Sequence, residues 1–313
     1  MDSFIYSINA TVPIFLIMIL GYVLKKKKML NDGFLEAANK FVYTVGLPVM
    51  VFTDLAFENF KEVFDIKFVL YCMIITIVSL FVVWFLAESF LKDKGMIGSF
   101  VQGSFRSSAA VLGLAFIHSI YSSAGMGPLM ILSAVPLYNI FSVMILTLKG
   151  DGNNKDKTIK KAFINVLKNP IIIGIALGLI GSLIEIKIPV IGVKTLNSLS
   201  NMTTPLALLC VGAGFDGRAA FAKIKPTIAA TFIKLIALPA IGLPIAVALG
   251  FRNQELMAII IMLASPATIS GYIMAKNTNN DAVLSSGIIV LSTVLSSLTL
   301  TLIIYLMRSL SFI

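Results

Sequence analysis

The sequence predicts an all-α integral membrane protein, on three observations. Of 313 residues, 58% are hydrophobic and only 13% charged, whereas soluble domains run near 45–50% and about 25%. The apolar residues are gathered into long runs, near the roughly 20 residues that cross a hydrocarbon core about 30 Å thick, and they lack the alternation of barrel strands. The formal charge of +10 sits in short loops between these runs, as expected for basic residues facing the cytoplasm. In a soluble chain the same surplus would point to nucleic acid. Here it does not.

The first apolar segment, 4–24, has Asp2 before it and Lys25, Lys26, Lys27 and Lys28 after it. Signal peptides carry positive charge ahead of the apolar core, so this segment is expected to stay, amino end outside. Further spans are predicted at 36–57, 66–90, 96–118 and 126–148, and a second set at 168–186, 195–215, 226–249, 255–276 and 281–307. The second and seventh open on polar residues around Asn39 and Asn201. With ten spans, sixteen of the twenty-five Lys and Arg fall on the side of Lys25–Lys28 and six on the other. Both termini are therefore expected outside and the long basic loop 149–167 inside. That loop, with GDGNNKDK at 150–157, reads as a solvated linker between a first five-helix repeat, 1–148, and a second, 168–313.

The midpoint linker suggests an internal duplication. NKFVYTVGLP, ending at Pro48, resembles NSLSNMTTP, ending at Pro205, 157 residues later. Five spans per half is odd, so the second half must enter from the opposite face. Inverted repeats of this kind are a recurring plan of secondary transporters.

The fourth and ninth spans are each interrupted by small polar residues. QGSFRSSAAVLGL at 102–114 carries Arg106, Ser107, Ser108 and Gly113 mid-span, and LASPATISGYI at 263–273 carries Ser265, Pro266, Ala267, Thr268 and Ser270. Proline removes an amide donor and clashes with the preceding turn, so the ninth helix should break. Unwound backbone at membrane depth survives only where protein buries it or a watery cavity receives it. Two such breaks, one per repeat, are expected to meet near the midplane with half-helix amino ends toward one point, an arrangement suited to an anion. Arg106 adds a full charge that costs about 2.5–3.5 kcal/mol on insertion scales. It marks either an anion site or a structural cap on broken-helix carbonyls. The serines could equally be helix-packing hydroxyls.

FRSSAAVLGLAF, LYNIFSVMIL at 137–146, TTPLALLCVGAGF at 203–215 and SPATISGYIMAKNTNND at 265–281 resemble the bacterial auxin efflux carrier family, which has relatives in the plant auxin efflux carriers. The resemblance covers essentially the whole chain. It implies a five-plus-five inverted repeat with crossed, broken fourth and ninth helices, similar to the bile-acid sodium symporter plan. It also implies transport of a small organic anion across a bacterial cytoplasmic membrane. Pro266 matches the family's ninth-helix proline, and Tyr138 and Asn139 match a fifth-helix pair facing the same cavity. Two positions depart from the family: Ser108 stands where asparagine, the expected carboxylate contact, is usual, and Ala115 stands where proline is usual. Lys234, about eight residues into the eighth span, either snorkels to the surface or, as the resemblance allows, serves as a fixed coupling charge near the crossover. Asp54, Glu88 and Asp216 lie near span ends, so no intramembrane acid stands out as its partner or that of Arg106.

Other signals point away from other chemistries. GAGFDG at 212–217 matches the dinucleotide fingerprint only literally, with no strand before it and no acid about 20 residues on. Cys72 and Cys210 lie inside apolar runs and define no disulfide framework, and a single histidine, His118, rules out an HExxH zinc helix. No metal, cofactor or nucleic-acid partner is implied, and too little is left for an intramembrane enzyme. Gly174, Gly178 and Gly181 favour close helix approach, either within one chain or across a homodimer. Two function classes remain: a carrier for a small organic anion and an anion channel. Channels are typically built from symmetric subunits or charged rings, so an internal inverted repeat favours the carrier.

Overall fold

The computed structural model describes residues 13, 16–57, 64–109, 126–149, 167–215 and 221–313. Among them every regular element is helical. Four helices, Ile66–Phe90, Gly127–Lys149, Ile224–Ala248 and Ala282–Ser309, are each long and apolar enough to cross a membrane. The chain is a multi-pass membrane protein.

In chain order, α1 covers residues 16–26. Helix α2 (Asp32–Phe41) runs through a π turn, Val42–Gly46, into α3 (Leu47–Ala56). Asn31 caps α2 by accepting from the Phe34 amide at 2.7 Å, and Pro48 follows the π turn as the second residue of α3. Helix α4 (Ile66–Phe90) is capped by Asp65, and α5 (Ile97–Phe105) follows. Then come α6 (Gly127–Lys149), α7 (Pro170–Leu183) and α8 (Val190–Ala213). Helix α9 (Ile224–Phe232) passes through a second π turn, Ile233–Ala237, into α10 (Leu238–Ala248). Last are α11 (Asn253–Ala264), α12 (Ser270–Asn277) and α13 (Ala282–Ser309).

Most span limits fall within two or three residues of the hydropathy reading. The second and seventh differ: α2 and α8 begin four and five residues before the predicted 36 and 195. The added turn of α2 carries Asp32, which hydropathy penalises; that of α8 is Val190, Ile191, Gly192 and Val193, closed by Lys194, and continues the helix from its cap at Pro189. Of the segment predicted at 96–118, residues 110–118 lie outside the described residues, with Gly113, Leu114, Ala115 and His118 among them.

The glycine motif of α7 packs inside the chain. A Cβ on Gly174 would press into the backbone of Pro48, one on Gly178 against Phe52 and Leu55, and one on Gly181 against Ala56. Small residues let α7 lie flush along α3. The glycine face is thus filled by α3, which removes the motif's support for a homodimer.

Candidate functional site

Helix α5 stops at Phe105, where the Arg106 amide makes the last helical bond, to Gln102 O at 3.2 Å. Arg106, Ser107 and Ser108 continue without helical structure. Helix α11 stops at Ala264, and Ser265 is extended. The two breaks touch: the Ser108 amide donates to the Pro266 carbonyl at 2.9 Å.

Three of the carbonyls at the end of α11 have partners. Ile261 O keeps a helical bond from the Ser265 amide at 3.1 Å. Met262 O would pair with residue 266, but proline has no amide to offer. It accepts instead from Ser107 Oγ and, at 3.2 Å, from the Tyr138 hydroxyl. Leu263 O would pair with Ala267, whose amide turns to Ser292 Oγ at 3.1 Å. Lys234 Nζ takes that place, donating to Leu263 O at 2.9 Å and also to Ser107 Oγ. Met262 O and Leu263 O, the two carbonyls whose helical partners the break removes, are thus taken up by side chains from other parts of the chain, as buried backbone requires. The helix ends with partial negative charge, and the amino group of a buried lysine meets it.

Lys234 therefore does not snorkel. Its side chain is fully buried and rises from the π turn Ile233–Ala237 to the crossover. Hydropathy places it one-third of the way into a span and says nothing of its direction; the tertiary fold supplies that.

Arg106 is 6% exposed. Its Nη2 donates to Asn139 Oδ1 and to Ser270 Oγ, both at 2.8 Å, and its Nη1 points to Met274 Sδ at 2.9 Å. The guanidinium thus links α5 to α6 and α12. Its described contacts are side chains rather than the broken-helix carbonyls, and that is not the expected pattern of a backbone cap. Asn139 is itself held by a bond from Nδ2 to Val135 O at 2.9 Å, and Ser270 by Thr268 at 3.1 Å.

A cavity of about 40 Å³ opens beside this guanidinium. Arg106, Ser107, Ser108, Tyr138, Asn139, Thr268 and Ser270 all line it, so seven of the residues singled out from sequence share one chamber. Ser265, Pro266 and Ala267 do not line it. They form the break itself, and Ser265 Oγ is buried without a hydrogen-bond partner. Lys234 stands behind the wall, bonded to Ser107. Of the two half-helix amino ends expected at one point, α12 brings its first residue to Arg106; the other falls in residues outside those described.

Asp54 also lines the cavity. Sequence reading set it aside as a span-end residue. The signal was the spacing of Met50, Val51 and Asp54, one face of a helix, and α3 turns that face to the chamber. Glu88 stays at the end of α4, where Lys149 and Lys94 pair with it. Among the described residues no cluster of His, Cys, Asp and Glu is suited to a metal.

Comparison with known proteins points to membrane transporters. The family model described as "Membrane transport protein" matches residues 6–304. The chain is 25% identical over 283 residues to the uncharacterized transporter YfdV of Escherichia coli K12, covering 88% of this chain and 89% of that one. It is 21% identical over 300 residues to an uncharacterized transporter of Methanothermobacter thermautotrophicus, with 96% and 98% covered. A family match over nearly the whole chain, on a helical membrane scaffold, makes this protein a member of the membrane transport protein family, the auxin efflux carriers.

Proposed function

We propose that the protein is a secondary carrier for a small organic anion, a carboxylate, moved by alternating access around the crossover in a bacterial cytoplasmic membrane. The observation that carries this reading is the Ser108–Pro266 contact beside a buried arginine. Two interrupted helices brought together around a fixed positive charge form a site that substrate can reach from either face as the surrounding helices shift. In this reading the chain is a five-plus-five inverted repeat of ten spans with both termini outside. The substrate carboxylate takes the guanidinium, with Ser107, Ser108, Tyr138, Asn139, Thr268 and Ser270 as hydrogen-bonding wall. Lys234 serves as the fixed cation that holds the α11 carboxyl end in place. At about 40 Å³ the chamber suits a few waters, so binding a carboxylate of several carbons requires the crossover to open.

Counterflow in proteoliposomes tests the reading. Labelled malate, malonate and an indole carboxylate are each offered to vesicles with and without the same unlabelled anion trapped inside. A carrier gives faster uptake into the loaded vesicles for at least one anion. Flux that rises with concentration but ignores the trapped anion is the signature of the anion-channel alternative.

A further inference from the structure

The cavity beside Arg106 has a second charged side chain that the carrier reading leaves unused. Asp54 lines the same chamber, from α3 rather than from α5, and it is half-buried. The two charges are not spent on each other. The guanidinium gives its bonds to Asn139, Ser270 and Met274, and Asp54 is not among them. One chamber of about 40 Å³ thus borders both a cation and a carboxylate, with Met50, Val51 and Val135 as apolar lining.

The helix ends reinforce this division. Asp54 sits in the last turn of α3, which carries no basic residue. A helix carboxyl end bears partial negative charge, so it favours cations and disfavours acids. Asp54 therefore adds to a negative end instead of offsetting it. Ser270, bonded to Arg106, is the first residue of α12, and a helix amino end is partially positive. The chamber has a positive pole at Arg106 and the start of α12, and a negative pole at Asp54 and the end of α3. A ligand whose only charge is a carboxylate satisfies the first pole and is repelled by the second. Arg106 is buried, and at low effective dielectric such repulsion carries over several ångströms. A second carboxylate, as in malate or malonate, adds to it. A ligand bearing both a carboxylate and an ammonium group satisfies both poles, the ammonium donating charge-assisted hydrogen bonds to the Asp54 oxygens.

We infer that Asp54 determines the specificity of the Arg106 cavity and that the preferred ligand is an amino carboxylate, its carboxylate on Arg106 and its ammonium on Asp54. The inference rests on the carrier reading and narrows its substrate class from carboxylates to those that also carry a protonated amine. Plain carboxylates still reach the guanidinium but bind less tightly, because nothing in them answers the negative pole. The role of Asp54 is electrostatic. Asp54→Asn, with the same shape and no charge, removes the preference for an ammonium, and Asp54→Glu, which restores the charge, keeps it.

Matched pairs that exchange one ammonium for a hydroxyl at the same carbon test it: alanine against lactate, and aspartate against malate. β-Alanine against β-hydroxypropionate and γ-aminobutyrate against γ-hydroxybutyrate widen the spacing between the two charged ends. The full chain is used throughout, with ligand-induced thermal shift reading affinity and counterflow in proteoliposomes reading transport. In the wild type at least one amino member is expected to bind more tightly than its hydroxy partner by about tenfold, the worth of one charge-assisted hydrogen bond. In Asp54→Asn that ratio falls to about one, and in Asp54→Glu it survives; the unfolding midpoint without ligand reports that each variant is folded. Hydroxy acids that bind as tightly as their amino partners in the wild type overturn the inference. So does an Asp54→Asn that keeps the wild-type ratio, or one that weakens both members of each pair alike, the result of a merely structural aspartate. Silence from every compound in both assays overturns it together with the carrier reading. An amino preference in thermal shift without counterflow of any compound would keep the selectivity of the cavity and remove the carrier.

Discussion

The two interruptions are alike in position and unlike in cause. In the second half, Pro266 withholds an amide from Met262 O, so the break is written into the covalent chain. In the first half no proline stands within Gln102–Ala109, and nothing local forbids a helix through Arg106, Ser107 and Ser108. That segment is held open from outside: Ser108 N by Pro266 O, Ser107 Oγ by Met262 O and Lys234, and the guanidinium by Asn139 and Ser270. One break is intrinsic and the other is induced, and the intrinsic one supplies the carbonyl groups that induce its partner. An induced break is the easier to rearrange, because it is maintained by bonds that can be exchanged one at a time.

The largest effect is expected where the induced break meets the anion. Arg106→Ala removes charge-assisted bonds worth about 1.5–3 kcal/mol each, so carboxylate affinity should fall by at least about tenfold while the protein still folds. Ligand-induced thermal shift measures this, and a mutant that keeps its shift and transports normally returns Arg106 to a structural role. Next is Lys234→Met, which keeps the length but leaves Leu263 O and Ser107 without their donor. A buried group so orphaned costs about 1–3 kcal/mol, read as a lower midpoint of unfolding in detergent. An unchanged midpoint would mean that the end of α11 needs no cation.

Pro266→Ala sharpens the comparison directly. The new amide competes with Ser107 and Tyr138 for Met262 O and favours a straight helix. One hydrogen bond, about 1 kcal/mol net, corresponds to roughly fivefold in rate, so counterflow should slow by about that factor. Unaltered counterflow would show that the cross-helix bonds alone keep both breaks open. The smallest effect belongs to Asp32 in the first turn of α2. Its carboxyl is held below the ordinary value of 3.8 by the hydrogen bond from Lys25 and by that lysine's charge. A lowered pKa in the folded protein stabilises above the unfolded value and is lost as pH falls through the folded one. Wild type and Asp32→Asn should therefore differ slightly in melting temperature above pH 3.8 and converge below it. Because Asp32 is open to solvent, the difference stays small.

Much of the site was legible because membranes make polar residues conspicuous. Arg106, the serines and Pro266 stand out against apolar runs, and the structure gathers Arg106, Ser107, Ser108, Tyr138, Asn139, Thr268 and Ser270 around one cavity. The direction of Lys234 was not legible. A lysine part-way into a span reads alike whether it reaches outward or inward, and only the packing of α9, α10 and α11 sends it to Leu263 O. Asp54 was missed because distance to a span end is a poor measure of depth when the neighbouring cavity reaches toward that end. Backbone acceptors such as Met262 O leave no mark in a side-chain pattern.

By itself the sequence determined the helical membrane class, the approximate limits of most spans, the break at Pro266 and the presence of a lone charge in the fourth span. These follow from hydropathy, from the missing amide of proline and from the cost of burying a cation, all properties of residues near one another in the chain. Only the tertiary structure decided that α7 packs its glycines on α3, that Lys234 caps α11 and that Ser107 and Ser108 are held open by the opposite half. Each of these is a contact between residues far apart in sequence, formed because a buried donor, acceptor or close backbone approach must be satisfied by whatever the fold brings beside it.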